Sequence, residues 1–128
     1  MINRLLSKVS LPIAWTILIQ VLLCIPGSDL PSGDLFDIPH LDKIVHIILF
    51  GTLTGLWCYY YYLKGKPAVQ LKTIFFIVFL LAAFNGIALE FVQKNFIPNR
   101  SFDDGDIIAD VLASSIAYGI CNIKLLKI

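Results

Sequence analysis

The segment TIFFIVFLLAAFNGIAL, residues 73–89, contains no charged side chain. At about 1.5 Å per residue, a helix of this length spans roughly 26 Å, close to the thickness of the hydrocarbon core of a bilayer. Residues 9–25 also carry no charge, residues 44–63 carry only His46, and residues 107–123 carry only Asp110. The sequence therefore predicts an all-α polytopic membrane protein. We expect one domain over residues 1–128, an antiparallel four-helix transmembrane bundle with helices at about 9–25, 43–63, 72–94 and 105–123.

The composition supports this class. The chain of 128 residues is 58% hydrophobic and 15% charged, with a mean hydropathy of +0.81, which is too apolar for a soluble domain. It contains no basic run, so no nucleic-acid partner is expected. Each of the three cysteines lies in or at the end of an apolar stretch, and their spacing fits neither a disulfide framework nor a zinc site. The sequence indicates no metal and no cofactor.

The basic residues predict the orientation. In a four-span protein both termini lie on the same side, and that side would carry seven basic residues against three on the other. Under the positive-inside rule, both termini are then cytoplasmic and the protein is multi-pass in the cell inner (cytoplasmic) membrane. The two sets are Arg4, Lys8, Lys64, Lys66, Lys72, Lys124 and Lys127 inside, and Lys43, Lys94 and Arg100 outside.

Polar residues concentrate at the predicted outer ends of three helices. His46, Glu90 and Asp110 each fall about one helical turn below the outer interface. Ionisable groups are costly next to hydrocarbon, so a shared level on three helices predicts that they meet in a pocket and pair. The carboxyl groups of Glu90, Asp106 and Asp110 would face His46, Lys43 and Arg100. The candidate ligand-binding residues are Asp42, Lys43, His46, Glu90, Gln93, Arg100, Asp106 and Asp110.

The charge around this pocket suggests an anionic ligand. The N-termini of the second and fourth helices open onto it, and helix N-termini favour negative charge. Arg100 suits a phosphate or carboxylate because its guanidinium binds such groups in a bidentate way. The expected partners are membrane lipids, among them an anionic lipid headgroup or envelope precursor.

A homo-oligomer remains open, since Gly51 and Gly55 form a G-x-x-x-G pattern that serves packing within the bundle or dimerisation.

Three other interpretations remain open at this level. In an enzyme, His46 and Glu90 are the candidate catalytic residues, Asp106 and Asp110 hold a divalent cation, and the substrate is a lipid-linked phosphate. In a transporter, the buried acids relay protons or ions. In a structural partner subunit, the same residues form a closed hydrogen-bonded network. The remaining loop acids are expected to be solvated or to cap helices: Asp29, Asp34, Asp37, Asp103 and Asp104.

Three segments together resemble the VanZ-like family of small bacterial membrane proteins: DKIVHIILFG (42–51), EFVQ (90–93) and PNRSFDDGDIIAD (98–110). The family pattern has Lys and His at the start of one helix, then Glu-x-x-Gln, then Arg followed by Asp-x-x-x-Asn at the start of the last helix. The resemblance covers about residues 40–120 and departs at Asp110, where the family has Asn, and at Ala113, where it commonly has Gly. It implies several membrane helices and a link to the cell envelope, because the family's namesake is associated with resistance to the glycopeptide teicoplanin.

Overall fold

The computed structural model describes residues 1–33 and 37–127, and the regular structure in these ranges is helical. The loop acid Asp34 lies outside the described residues. Besides a 3-10 turn at Gly27–Asp29, the helices are α1 (Ile2–Leu6), α2 (Ser10–Leu23), α3 (Leu41–Tyr62), α4 (Ala68–Phe96) and α5 (Asp104–Leu125).

Three helices in the described part of the chain, α3, α4 and α5, are long and apolar enough to cross a membrane. They coincide with three of the four predicted spans. The predicted first helix, residues 9–25, is shorter in the structure, because α2 has 14 residues and ends at Leu23. Pro26 follows closely and cannot continue a helix. Before α2, the structure has a separate short helix, α1, that the sequence did not predict.

Helix α4 is longer than predicted. It has 29 residues and begins directly after Pro67. Proline is favoured at the start of a helix, where its missing N–H costs no hydrogen bond. At about 1.5 Å per residue, α4 is roughly 44 Å long, so it exceeds a hydrocarbon core of about 30 Å and must tilt or extend beyond it.

Helices α3 and α5 form the most extensive helix pair, and α4 packs against both. Small residues allow this approach: Ala109, Ala113 and Ser114 of α5 are buried. An added Cβ at Gly51 of α3 would lie 3.9 Å from the Cβ of Ala113, whereas one at Gly55 would meet nothing within 4 Å. Gly51 therefore faces Ala113 of α5 at the distance of an ordinary van der Waals contact.

Four helix termini meet at one end of the bundle. The C-termini of α2 and α4 lie together because Gln93 Nε2 donates a hydrogen bond of 2.7 Å to the carbonyl of Leu23. The N-terminal turns of α3 and α5 lie together because His46 contacts Asp110. Neighbouring helices in the order α2, α3, α4 and α5 therefore alternate in direction. We call this end the polar end.

Two apolar clusters fill the bundle. The one nearer the polar end joins α2, α3 and α4 and includes the fully buried Ile19 and Phe50. The other lies toward the opposite end and includes Cys58, Phe75 and Cys121. Both buried cysteines are free, as predicted. The outward faces carry exposed apolar side chains, as a lipid-facing surface requires; examples are Ile17, Ile48, Phe84, Ile108 and Ile116.

Candidate functional site

A histidine–aspartate pair joins α3 to α5 at the polar end. His46 Nδ1 lies 2.8 Å from Asp110 Oδ1. The two residues are almost completely buried, with 4% and 0% of their surface exposed. They meet because both lie in the second turn of parallel neighbouring helices. When the imidazole donates Nδ1–H to the carboxylate, its Nε2 is left as an acceptor.

Asp106 lies one helical turn before Asp110 and faces the other side of the imidazole. Its Oδ2 is 3.7 Å from His46 Nε2. Its Oδ1 accepts a hydrogen bond of 3.4 Å from Lys43 Nζ. Asp106 therefore lies between the buried histidine and the more exposed lysine.

Glu90 enters the same cluster from α4 and is only 1% exposed. Its Oε2 accepts a 3.0 Å hydrogen bond from the backbone N–H of Asp103. Its Oε1 is buried and has no hydrogen-bond partner among residues 1–33 and 37–127. His46, Glu90 and Asp106 each present a possible metal-ligand atom within 4.8 Å of those of the other two. We call these three residues together with Asp110 the acidic cluster.

Lys43 lies at the more exposed end of the cluster. Its ammonium lies 2.8 Å from Asp103, 3.2 Å from Asp42 and 3.4 Å from Asp106. Asp103 also caps α5, since its Oδ1 accepts a 2.7 Å hydrogen bond from the N–H of Gly105. The Lys43 ammonium and this N–H together hold the pKa of the Asp103 carboxyl below its usual range. Lys43 is thus already surrounded by carboxylates.

Gln93 and Arg100 lie beside the cluster but bind the end of α2. Both donate to the Leu23 carbonyl, at 2.7 Å and 3.4 Å. The last carbonyls of a helix lack partners within the helix, so the C-terminus of α2 attracts these donors. Within residues 1–33 and 37–127, Arg100 forms no ion pair. The expectation that Arg100 pairs with a carboxylate of the cluster is therefore wrong for the described part of the chain.

Two residues of this region were not foreseen as part of the site. A Cβ at Gly86 would lie 2.6 Å from Asp110 Oδ2, so only glycine there lets α4 approach Asp110. Asp103 was expected to be a solvated acid or a helix cap, and it is a cap. The capping role could be predicted, because Asp103-x-Gly105 ahead of an apolar helix is a recognisable capping signal. The ion pair of Asp103 with Lys43 was not predicted.

The cluster is not a fully satisfied hydrogen-bonded network. Hydrogen bonds pair His46 with Asp110 and Lys43 with three acids. Yet three buried atoms have no hydrogen-bond partner in the described part of the chain: Glu90 Oε1, Asp110 Oδ2 and Arg100 Nε. The structure thus brings His46, Glu90, Asp106 and Asp110 together. Asp42 and Lys43 lie at the more exposed end of this cluster. Gln93 and Arg100 bind the neighbouring end of α2. Whether these residues bind a ligand stays a prediction.

Comparison with known proteins finds a similar chain in Schizosaccharomyces pombe. Over 99 residues the chain is 31% identical to an uncharacterized protein of Schizosaccharomyces pombe. The matched region is 77% of this chain and 57% of that protein, so the chain spans little more than half of the relative's length. No family model and no solved structure matches the chain.

Proposed function

We propose that this chain is a VanZ-like integral membrane protein that crosses the cell inner (cytoplasmic) membrane four times and binds an anionic lipid headgroup or envelope precursor at its polar end. Helix α2 would be the fourth span. Its position supports this: Trp15 Nε1 donates a 3.0 Å hydrogen bond to the Leu49 carbonyl, and Trp57 Nε1 donates one of 3.2 Å to Thr16 Oγ1. These bonds place α2 along α3, and its outer face carries exposed apolar residues, among them Ile17 and Val21.

The proposed orientation places both termini in the cytoplasm. Seven of the ten basic residues lie in the terminal segments, the α3–α4 connection and the beginning of α4, and three lie at the polar end. Basic residues are retained on the cytoplasmic side during insertion. The acidic cluster would then face away from the cytoplasm.

Arg100 is the observation that carries the proposed ligand class. It is half-buried, its Nε has no partner, and the described residues offer it no carboxylate. A guanidinium without a carboxylate partner in such a place is stabilised by an anion from outside the chain. Lys94 lies at the same end of α4, with its ammonium 5.7 Å from the centroid of the Phe102 ring, and also forms no ion pair among the described residues. These two cations suit a phosphate at the membrane surface.

The resemblance to the VanZ-like family supports a role in the cell envelope, including resistance to the glycopeptide teicoplanin. Such a role fits a protein that binds a lipid phosphate without hydrolysing it. The shared chemistry, an anionic group on a lipid, is common to phospholipids and lipid-linked envelope precursors.

Native mass spectrometry tests this proposal. The detergent-purified chain is incubated with equal amounts of phosphatidylglycerol and phosphatidylcholine. We expect the parent protein to retain phosphatidylglycerol preferentially, and Arg100→Ala to lose that preference. Lys66→Ala removes a cation at the opposite end of the bundle and is the matched control, which should behave as the parent. Equal lipid retention by the parent and Arg100→Ala would refute the proposal.

Hydrolysis of a lipid-linked phosphate is the second candidate function. It is favoured by the His46–Asp110 contact of 2.8 Å, because a carboxylate that orients an imidazole prepares it for general acid–base work. In this case the purified protein releases inorganic phosphate from a polyprenyl phosphate, and His46→Ala does not. Absence of phosphate release by the parent protein would exclude this candidate.

A further inference from the structure

In the acidic cluster three buried carboxyl groups face two basic side chains. Glu90, Asp106 and Asp110 have 1%, 8% and 0% of their surface exposed. Facing them are the imidazole of His46 and the ammonium of Lys43, and Lys43 is shared with the exposed Asp42 and Asp103. Charges removed from water must be paired. A further cation would supply the missing charge.

The spacing of the donor atoms fits coordination of one ion. His46 Nε2 lies 3.7 Å from Asp106 Oδ2, which is too long for a hydrogen bond between them. Two ligands that each lie about 2.1 Å from a tetrahedral ion are about 3.4 Å apart. Possible ligand atoms of His46, Glu90 and Asp106 all lie within 4.8 Å of one another, which is close enough for the three residues to hold one metal ion.

The histidine is oriented as a metal ligand is. Its Nδ1 contacts Asp110 at 2.8 Å, which leaves Nε2 directed at Asp106. Metal-ligating histidines almost always donate their second ring N–H to a carboxylate or carbonyl, and this contact fixes the tautomer. Asp110 therefore acts as a positioning residue for His46.

Glu90 supplies an independent observation. Although 99% of its surface is buried, Oε1 has no hydrogen-bond partner, while Oε2 is occupied by the N–H of Asp103. An unpaired buried carboxylate oxygen is costly. A bound cation would be the partner that Oε1 lacks.

We infer that His46 Nε2, Glu90 Oε1 and a carboxylate oxygen of Asp106 bind a divalent transition-metal cation, with Zn²⁺ or Mn²⁺ the ions that suit the donors. One imidazole and two carboxylates favour these ions over Mg²⁺ and Ca²⁺, which prefer oxygen ligands alone. Three protein ligands leave at least one coordination position for water or an external oxygen. The metal site does not depend on the lipid-binding proposal, because Arg100 is not a ligand.

Zinc titration of the full-length chain in detergent tests this site. The protein is produced without a histidine tag and with the substitution Cys24→Ser, which removes the partly exposed thiol. Any bound metal is then removed with a chelator. Calorimetry should show one Zn²⁺ bound per chain. His46→Gln and Glu90→Gln should each weaken binding at least about tenfold, since ligand loss costs no less than loss of an orienting partner. Asp29→Asn, which neutralises an exposed acid in the 3-10 turn outside the cluster, should leave the affinity unchanged.

A second readout separates ligation from folding. Circular dichroism must show that Glu90→Gln, which preserves the side-chain shape, keeps the parent helix content. Electron spin echo measurements on bound Mn²⁺ should show nitrogen coupling in the parent and none in His46→Gln.

The inference is overturned if the parent protein binds neither Zn²⁺ nor Mn²⁺ stoichiometrically. This is the result expected if the buried carboxyl groups are protonated and need no cation. The inference is also overturned if binding is equal in the parent, His46→Gln and Glu90→Gln. Arg100→Ala should change lipid retention without changing zinc affinity, so failure of one proposal is visible separately from failure of the other.

Discussion

Asp110 of α5 lies directly against Gly86 of α4: a Cβ added at position 86 would be 2.6 Å from Asp110 Oδ2 and 2.8 Å from its Cβ. These atoms belong to a fully buried side chain that is held by His46, so they have little freedom to move away. The contact allows α4 to bring Glu90, one helical turn further on, into the cluster.

Gly86→Ala should therefore destabilise the bundle. Alanine would force α4 and α5 apart or displace Asp110, and overpacking of this kind costs about 1–3 kcal/mol. Unfolding by SDS in mixed micelles, followed by circular dichroism, measures the change. Gly55→Ala is the control, because a Cβ there meets nothing within 4 Å and alanine is the better helix former. Equal stability of the two variants would contradict the close contact.

Gln93→Met should loosen the end of α2. It keeps the length of the side chain but removes the 2.7 Å hydrogen bond to the Leu23 carbonyl. Loss of a buried hydrogen bond costs about 1–3 kcal/mol when the partner stays unpaired, although Arg100 remains nearby. Hydrogen exchange of the backbone amides after Leu23 should accelerate. Asn95→Ala is the control, since Asn95 is exposed and bonds only Phe91 of its own helix; acceleration of similar size in that variant would argue against a specific tether.

Asp103→Asn should lower the free energy of unfolding near neutral pH but not in acid. The neighbouring Lys43 lowers the pKa of Asp103, so the ion pair stabilises the folded state above the unfolded pKa of about 3.9. This contribution is lost as the pH falls through the lower folded pKa. Asparagine also caps helices well, so the variant removes mainly the charge. Because Asp103 is partly exposed, we expect a loss of a few tenths of a kcal/mol at pH about 7. Unfolding curves of parent and variant should converge below pH about 4; a constant difference would refute the assignment.

The proposed orientation predicts the accessibility of engineered cysteines. Asp29 is exposed in the 3-10 turn that follows α2, whereas Lys66 is exposed in the connection between α3 and α4, at the opposite end. In a variant without Cys24, Cys58 and Cys121, Asp29→Cys should react with a membrane-impermeant maleimide in intact cells. Lys66→Cys should react only after the membrane is permeabilised. The reverse pattern would show that the polar end faces the cytoplasm.

The chain's own sequence was sufficient to predict the helical class and the three long helices. Uninterrupted apolar stretches of this length have few stable alternatives, since every backbone polar group must be bonded within the segment. The sequence also indicated that His46, Glu90 and Asp110 share one level, because each stands about one turn from the end of its stretch. Helix ends were predicted less well: α4 begins four residues before the predicted position, at Ala68, and α2 ends two residues early, at Leu23.

Tertiary structure alone decided which polar groups became partners. Helical periodicity determines the face of a side chain but not the rotation of that face toward a neighbouring helix. The pairing of His46 with Asp110, the ion pair of Lys43 with Asp103, and the unpaired Oε1 of Glu90 all depend on how closely α3, α4 and α5 approach. Arg100 lies at the Leu23 carbonyl because the end of α2 packs there, a contact between residues 77 positions apart. Interhelical distances of this kind result from packing of small residues such as Gly86 and Ala113, and a one-dimensional pattern does not contain them.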